Sequence, residues 1–472
     1  MPPRSDQPRT CLKENATRDL ARFAASLRFE DIPHEVIEKI KLLALDAIGC
    51  CIHGATLPWT RRVAELVERE GGRPVASIFG RGRKTSISQA VLVNSTAGHA
   101  FELDDIHKES IVHCNSLALP VAVAFAEADD RLTGRDMITA MVAGYEVGTR
   151  VGSAATTSLF MRGFHPQGTS GTFVAAATAG RMLDLSATRM QHAFGIAGSQ
   201  AAGLMAAQEG AMVKRFHSGR AAQSGVYAAL LAKEDFTGIP DVLEAGYGGF
   251  LSSYADEPNP SRLTEALGAV WEANHVGVKP HASVTSIHTA LDALSAIMQE
   301  YGLVADDIAS IDVGVSAMTH VHCAWPYKAQ SVTAAQMNLH YGLAVMALDG
   351  QAFVQQYTEG RLKDPRILDF IDRIEAFVDP EIEALGPAFR HAVRITLVTR
   401  DGRELREQVL QRRGSPENPL TPQEVVYKFR TLAGTCLTRD QVDRIIDLSE
   451  HLEHLGSVQS LTALLGDIGR AH

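Results

Sequence analysis

From about residue 15 to 272, apolar side chains return every three or four positions, the spacing that gathers them on one side of a helix. This rhythm predicts helices over 36–51, 60–70, 86–103, 117–129, 134–155, 168–183, 186–205 and 219–233, with alternating strand patterns nearly absent. Gly144, Gly148 and Gly152 recur at four-residue spacing and put three bare positions on one helix face, suited to close packing or to substrate access. After Trp271 the pattern changes. Residues 308–316 alternate as a strand does, and 393–400 runs through Asp401-Gly402 into 403–409, the signature of a hairpin. Helical runs at 284–301, 334–348, 351–358 and 365–373 lie between, which makes this part an α+β unit. The expected architecture is mainly α with an inserted α+β lid: a large all-helical domain from 1–274 and 409–472, and a lid from 275–408. Gly414-Ser-Pro-Glu-Asn-Pro419 marks the second connection, and the helical tail from Thr421 is expected to dock on the first domain.

The 472 residues are 45% apolar and 21% charged, as in ordinary globular proteins, with a net charge of -10. Such a surface repels nucleic acid and anionic membranes, so neither is an expected partner, and an anionic ligand needs a local basic site. No stretch approaches the roughly 18 unbroken apolar residues of a membrane span, and the first residues lack the apolar core of a signal peptide, so a cytoplasmic protein is expected. The six cysteines are scattered without a Cys-x-x-Cys, which excludes a written disulfide framework, zinc ribbon or iron–sulfur site. Gly80-Arg-Gly82 and Gly246-Tyr-Gly-Gly249 lack the context of a nucleotide fingerprint, and there is no Gly-x-Ser-x-Gly elbow. His320-Val-His322-Cys323, or Glu102 with His107 and His113, offer metal-ligand types, but no companion set completes either at a diagnostic spacing. Neither metal nor cofactor is expected.

Four polar segments carry the candidate chemistry. His99-Ala-Phe-Glu102-Leu-Asp104-Asp105-Ile-His107, followed by His113, clusters carboxylates with imidazoles, as an acid/base pair, a metal site or a hydrogen-bonded helix end does. Gly163-Phe-His165-Pro-Gln-Gly-Thr-Ser-Gly171 leads into a helix whose first N–H groups suit a carboxylate. Gly210-Ala-Met-Val-Lys214-Arg215-Phe-His217-Ser-Gly-Arg220 sets basic groups among small residues, with Lys214, His217 and Ser218 on one helix face. It reads as a basic surface stripe or as a pocket for a small polyanion. Val278-Lys279-Pro280-His281-Ala-Ser283, with His288 beyond, falls at the expected domain junction, where clefts form.

In order along the chain, these segments resemble the MmgE/PrpD family of 2-methylcitrate dehydratases, cis-aconitate decarboxylases and iminodisuccinate epimerases. The resemblance rests on Leu45-Asp-Ala-Ile-Gly49, Glu102-Leu-Asp-Asp105, Gly144-Tyr-Glu-Val-Gly148, Gly163-Phe-His-Pro166, Gly198-Ser-Gln-Ala-Ala-Gly203, Met212-Val-Lys-Arg215, Tyr247-Gly-Gly-Phe250, Val278-Lys279 and Lys428-Phe-Arg-Thr-Leu-Ala433. It implies a helical domain with a lid, a cofactor-free site between them, and a homodimer. Carried over by position, the catalytic groups are His113, His165, Lys214, Lys279 and Glu102, with Asp104, Arg215, Arg220, His281 and His288 as substrate-binding residues. Glu102 and Ile106 stand where the animal-type decarboxylases carry Asp and Thr, so the resemblance implies a reaction class rather than one substrate. That class is a lyase acting on a cis-aconitate-like or 2-methylcitrate-like tricarboxylate by abstracting a proton α to a carboxylate. In it the lysines clamp the anion, and His113 or His165 serves as the base. The alternatives are an epimerase or isomerase of a dicarboxylate such as iminodisuccinate, and a non-catalytic dimer that binds polycarboxylates.

Overall fold

A computed structural model describes residues 15–466. Its larger part is helical, with one continuous apolar core that runs through residues 16–278 and resumes at 425–465. Small residues set the spacing there. The helix Gly134–Met161 opens on Thr133, which accepts from the Asp136 N–H, and it lies against Gly171–Met182 at unusually close range. A β-carbon on Gly144 would stand 2.1 Å from Thr178 Oγ1, one on Gly148 2.1 Å from Val174 Cγ2, and one on Gly152 2.6 Å from Ser110 Cβ. The glycine row is therefore a packing face. Gly144→Ala is expected to cost about 1–3 kcal/mol of stability through overpacking, measurable by urea unfolding, and an unchanged midpoint would show that the two helices can move apart freely.

The second core gathers residues 282–405 with Cys50, Phe101, Leu103 and Leu432 of the helical part. It is built on a four-stranded mixed sheet in the order Ile374–Val378, Ile308–Val315, Val393–Thr399, Glu404–Val409. The first pair is parallel and the others antiparallel. Val393, Ile395 and Leu397 face inward at every second position, against the helix His288–Tyr301. The expected hairpin forms with Val398 opposite Glu404, and Gly402 takes the positive φ of 88° that its turn requires. The edge strand Ile374–Val378 was not foreseen, and the run expected as a helix over 351–358 forms only the short turn Val354–Gln356.

Three departures from the expected helices shape the site. The helix Ile87–Gly98 stops five residues before the expected end at 103, and Ala187–Gly198 stops at 198 rather than 205. The helix Val213–Lys233 starts six residues earlier than expected, placing Lys214 and Arg215 in its first turn. Residues 99–113 leave the helical path and enter the junction, where Ile106–His107 pairs with Val276–Gly277. The tail helix Pro422–Ala433 docks beside them: buried Lys428 pairs with Asp46 at 2.6 Å and donates to the Leu103 carbonyl at 2.6 Å. Among the described residues, no single helix is long and apolar enough to cross a membrane.

Candidate active site

Glu102 sits in the left-handed backbone region at φ 56°, a conformation that costs a non-glycine residue energy and needs support from its surroundings. Its carboxylate supplies that support by accepting from Lys214 Nζ, from Arg215 Nη1 and, at 3.2 Å, from Lys279 Nζ. The cations at 214 and 215 stand at a helix N-terminus, where the macrodipole opposes positive charge, so this carboxylate is what holds them there. Burial acts to raise the Glu102 pKa, yet Lys214, Lys279 and Arg215 together bring it well below the usual range. Burial also holds Lys214 down to about 8 against the pull of Glu102. Arg215 reaches the lid as well, donating to Gln336 Oε1 at 3.1 Å and to Thr333 Oγ1 at 3.3 Å.

A chain of imidazoles lies next to this cluster. His99 Nδ1 meets Asp104 Oδ2 at 2.7 Å, and His113 Nδ1 lies 3.4 Å from Asp104 Oδ1 and 2.6 Å from the Asp105 carbonyl. A carbonyl oxygen only accepts, so the His113 proton is on Nδ1 and its lone pair is on Nε2. Burial lowers the His113 pKa to about 3 although Asp104 raises it, which keeps the ring neutral near pH 7. Gln167 fixes this residue by accepting from the His113 N–H at 2.9 Å and donating to its carbonyl at 3.1 Å. His165 is also buried, and desolvation together with Lys214 pushes its pKa well below the ordinary value. Its Nδ1 faces His217 Nδ1 at 2.9 Å.

One cavity at the junction, about 690 Å³ of unfilled space counting its mouth, is lined by Glu102, His113, His165, Lys214 and Lys279. Those five sequence candidates come together. Asp104 and Arg215 stand behind them, the first bracing two histidines and the second bracing Glu102. Arg220, His281 and His288 are elsewhere. Arg220 is six residues beyond Lys214, about 240° around the helix, and lines an outer groove that it shares with His217. His281 pairs with Asp292 at 3.1 Å in a separate cleft, and buried His288 bonds the Ser283 carbonyl at 3.1 Å. Three amides of the loop 163–171 are likewise committed, Gly168 and Thr169 donating to the His165 carbonyl and Gly171 to that of Pro166, so these three offer a carboxylate nothing.

The residues weighed as metal ligands fall into separate networks. Glu102 is held by three cations, and His107 bonds Ser110 and Glu272. His322 lies on the short helix Ala317–Cys323, bonds Gln208 at 2.9 Å and lines the cavity, whereas Cys323 is buried in the lid core. His99, Asp104 and His113 bring ligand-type atoms within 4.8 Å of one another, but the Nδ1 of His99 is bonded to Asp104 and that of His113 to the Asp105 carbonyl. Sequence reasoning missed Lys108, Arg390, His391 and Arg412, all of which line the cavity. The one local signal was Arg412-Arg413 beside the Gly414-Ser-Pro turn at the second connection.

Residues 18–263 match the MmgE/PrpD N-terminal domain, and residues 281–454 match the MmgE/PrpD C-terminal domain. The chain belongs to the MmgE/PrpD family. The cis-aconitate decarboxylase-like protein oryM of Aspergillus oryzae is 31% identical over 471 residues, spanning 96% of this chain and 97% of the relative. The cis-aconitate decarboxylase of Aspergillus terreus is 31% identical over 473 residues, spanning 96% of both. The human enzyme of that name is 26% identical over 465 residues, again 96% of this chain. As a member of this family with whole-length relatives of that kind, the chain is an enzyme of the lyase class.

Proposed function

We propose that this lyase decarboxylates a cis-aconitate-like tricarboxylate. The observation that carries the reading is the convergence of His113, His165, Lys214 and Lys279, from four distant segments, on one cavity; the whole-length similarity to cis-aconitate decarboxylases supports the substrate class. In this reaction CO2 leaves from the CH2-borne carboxylate. The electron pair of the broken C–C bond forms a new C=CH2 bond, the old C=C pair moves to the carbon α to the far carboxylate, and that carbon takes up one proton. A trianion and a proton become a dianion and CO2. The cations Lys214 and Lys279 hold the charge that builds up during the shift. The step calls for a proton donor rather than a base. When His217 donates its Nδ1 proton, the His165 proton resides on Nε2, and this ring is the donor: as Nε2 gives up its proton to the carbon, Nδ1 takes over the one from His217, which is reprotonated on Nε2 from the groove it lines.

His113 favours a second reading. Its lone pair on Nε2 is the state required of a base, the group that dehydration of 2-methylcitrate or epimerisation of iminodisuccinate needs. Incubation of the protein with each of the three compounds in D2O, followed by proton NMR, separates the readings. Itaconate carrying one deuteron is the expected product. Water loss from methylcitrate, or deuterium exchange into iminodisuccinate without net loss, would replace decarboxylation by the second reading.

Lys214 gives this site a pH signature. It is charged below pH of about 8 and loses that charge above it, so kcat/KM is expected to fall as pH rises through that value in the free enzyme. A profile that stays level well into the alkaline range would remove Lys214 from the anion clamp.

A further inference from the structure

The junction cavity carries a second group of cations: Arg412 from the second connection, Arg390 from the lid, and Lys108 from the loop that leaves the helical part. They differ from the Lys214 cluster in one respect: no carboxylate is hydrogen-bonded to them as Glu102 is to the others, and the charges of exposed Glu417 and Glu109 act on them from farther off. Arg412 is only 5% exposed and, among the described residues, has no carboxylate within 4.0 Å; its one hydrogen bond is a long 3.5 Å contact to the Arg413 carbonyl. Asp292, the acid that acts on it most strongly, is already taken by His281 and by the Arg413 N–H at 2.8 Å, and exposed Glu417 acts on it less. Arg390, 6% exposed, donates to the Lys108 carbonyl at 2.7 Å, reaches exposed Glu109 only at 3.8 Å, and leaves its buried Nε without a partner. Lys108 donates to the Ala388 carbonyl. Buried cations are ordinarily paired, and a guanidinium withdrawn from water without a counterion is costly. The cost is relieved when an anion enters the cavity.

We infer that Arg412, Arg390 and Lys108 form a second carboxylate subsite, which holds a non-reacting carboxylate of the substrate while the reacting end lies among Lys214, Lys279 and His165. This rests on the carboxylate-lyase reading and divides its labour: Lys214, Lys279 and His165 face the reacting end, and the group around Arg412 selects ligands with at least two separated carboxylates. A guanidinium matches a carboxylate with two parallel N–H donors, so a lysine at 412 replaces it only in part.

The test measures binding without turnover. Tricarballylate, a saturated tricarboxylate with no bond to shift, is titrated calorimetrically against the wild type, Arg412→Gln, Arg412→Lys and Lys108→Met, with butyrate as a one-carboxylate control. Wild type is expected to prefer tricarballylate strongly. Arg412→Gln should lose roughly thirtyfold or more in tricarballylate affinity with butyrate nearly unaffected, and Arg412→Lys should recover part of it. Lys108→Met, at a less buried position, should weaken the same ligand and keeps the test decisive if Arg412→Gln does not fold. Tricarballylate binding unchanged within about twofold in the variants that fold would overturn the subsite. Tighter binding of inorganic phosphate than of tricarballylate at the same residues would overturn its assignment to a carboxylate. Failure of the decarboxylase reading shows separately, as wild-type protein that binds tricarballylate but makes no itaconate.

Discussion

His165→Gln is expected to lower kcat on cis-aconitate by about two to four orders of magnitude, the usual worth of a positioned proton donor, with the fold retained. The fold should survive because the main chain at this position does the structural work. The His165 N–H donates to the Gly203 carbonyl at 3.0 Å, and its own carbonyl accepts from the Gly168 and Thr169 amides. A glutamine of similar reach can still bond His217, but its amide does not release a proton. Itaconate formation measured beside a circular-dichroism melt separates loss of chemistry from loss of structure. Activity within about tenfold of wild type would move the donor to another group, with His113 the next to replace.

The second large effect belongs to Glu102. Its replacement by glutamine keeps the volume and the strained backbone but removes the one carboxylate that, among the described residues, pairs with Lys214, Arg215 and Lys279, and is expected to cost about 3–5 kcal/mol of stability near neutral pH. Added tricarballylate should restore part of that loss by supplying the missing charge. The pH dependence fixes the sign. Because the folded pKa of Glu102 lies well below its unfolded value, its contribution is complete above about pH 4.5 and disappears as pH falls through the folded value. Buried Asp104, drawn down by His113 and His99 against its own desolvation, adds in the same direction. Wild type should therefore lose stability on acidification below pH 4.5 more steeply than Glu102→Gln, as read from urea midpoints over a pH series. Parallel curves for the two proteins would mean that the three cations are compensated elsewhere.

The helical body and the lid hairpin were legible because each obeys a local period: Ile395 and Leu397 alternate with polar residues, and His34–Ala55 keeps its apolar face in step over many turns. The edge strand Ile374–Val378 was not, since only Ile374 of its five residues is buried and an edge imposes no two-sided pattern. The apolar spacing of His99-Ala-Phe-Glu-Leu103 continues the preceding helix, but ion pairing of Glu102 with cations more than a hundred residues away outweighs local preference and turns the chain inward. Lys214 and Ser218 share a buried helix face as their spacing requires, whereas His217 is rotated toward the outer groove, where its contact with His165 gave no sequence signal. Arg390 and Lys108 meet across 282 residues, and no short-range pattern encodes such a meeting.

The His165–His217 contact also bears on how the cavity is supplied with hydrogen ions. Two Nδ1 atoms 2.9 Å apart hold one hydrogen between them, so the rings are bound to opposite tautomers, and a switch in one compels a switch in the other. One ring borders the junction cavity and the other the outer groove. In the proposed decarboxylation, a hydrogen ion given up at the cavity is thereby replaced through His217 from the groove that it lines.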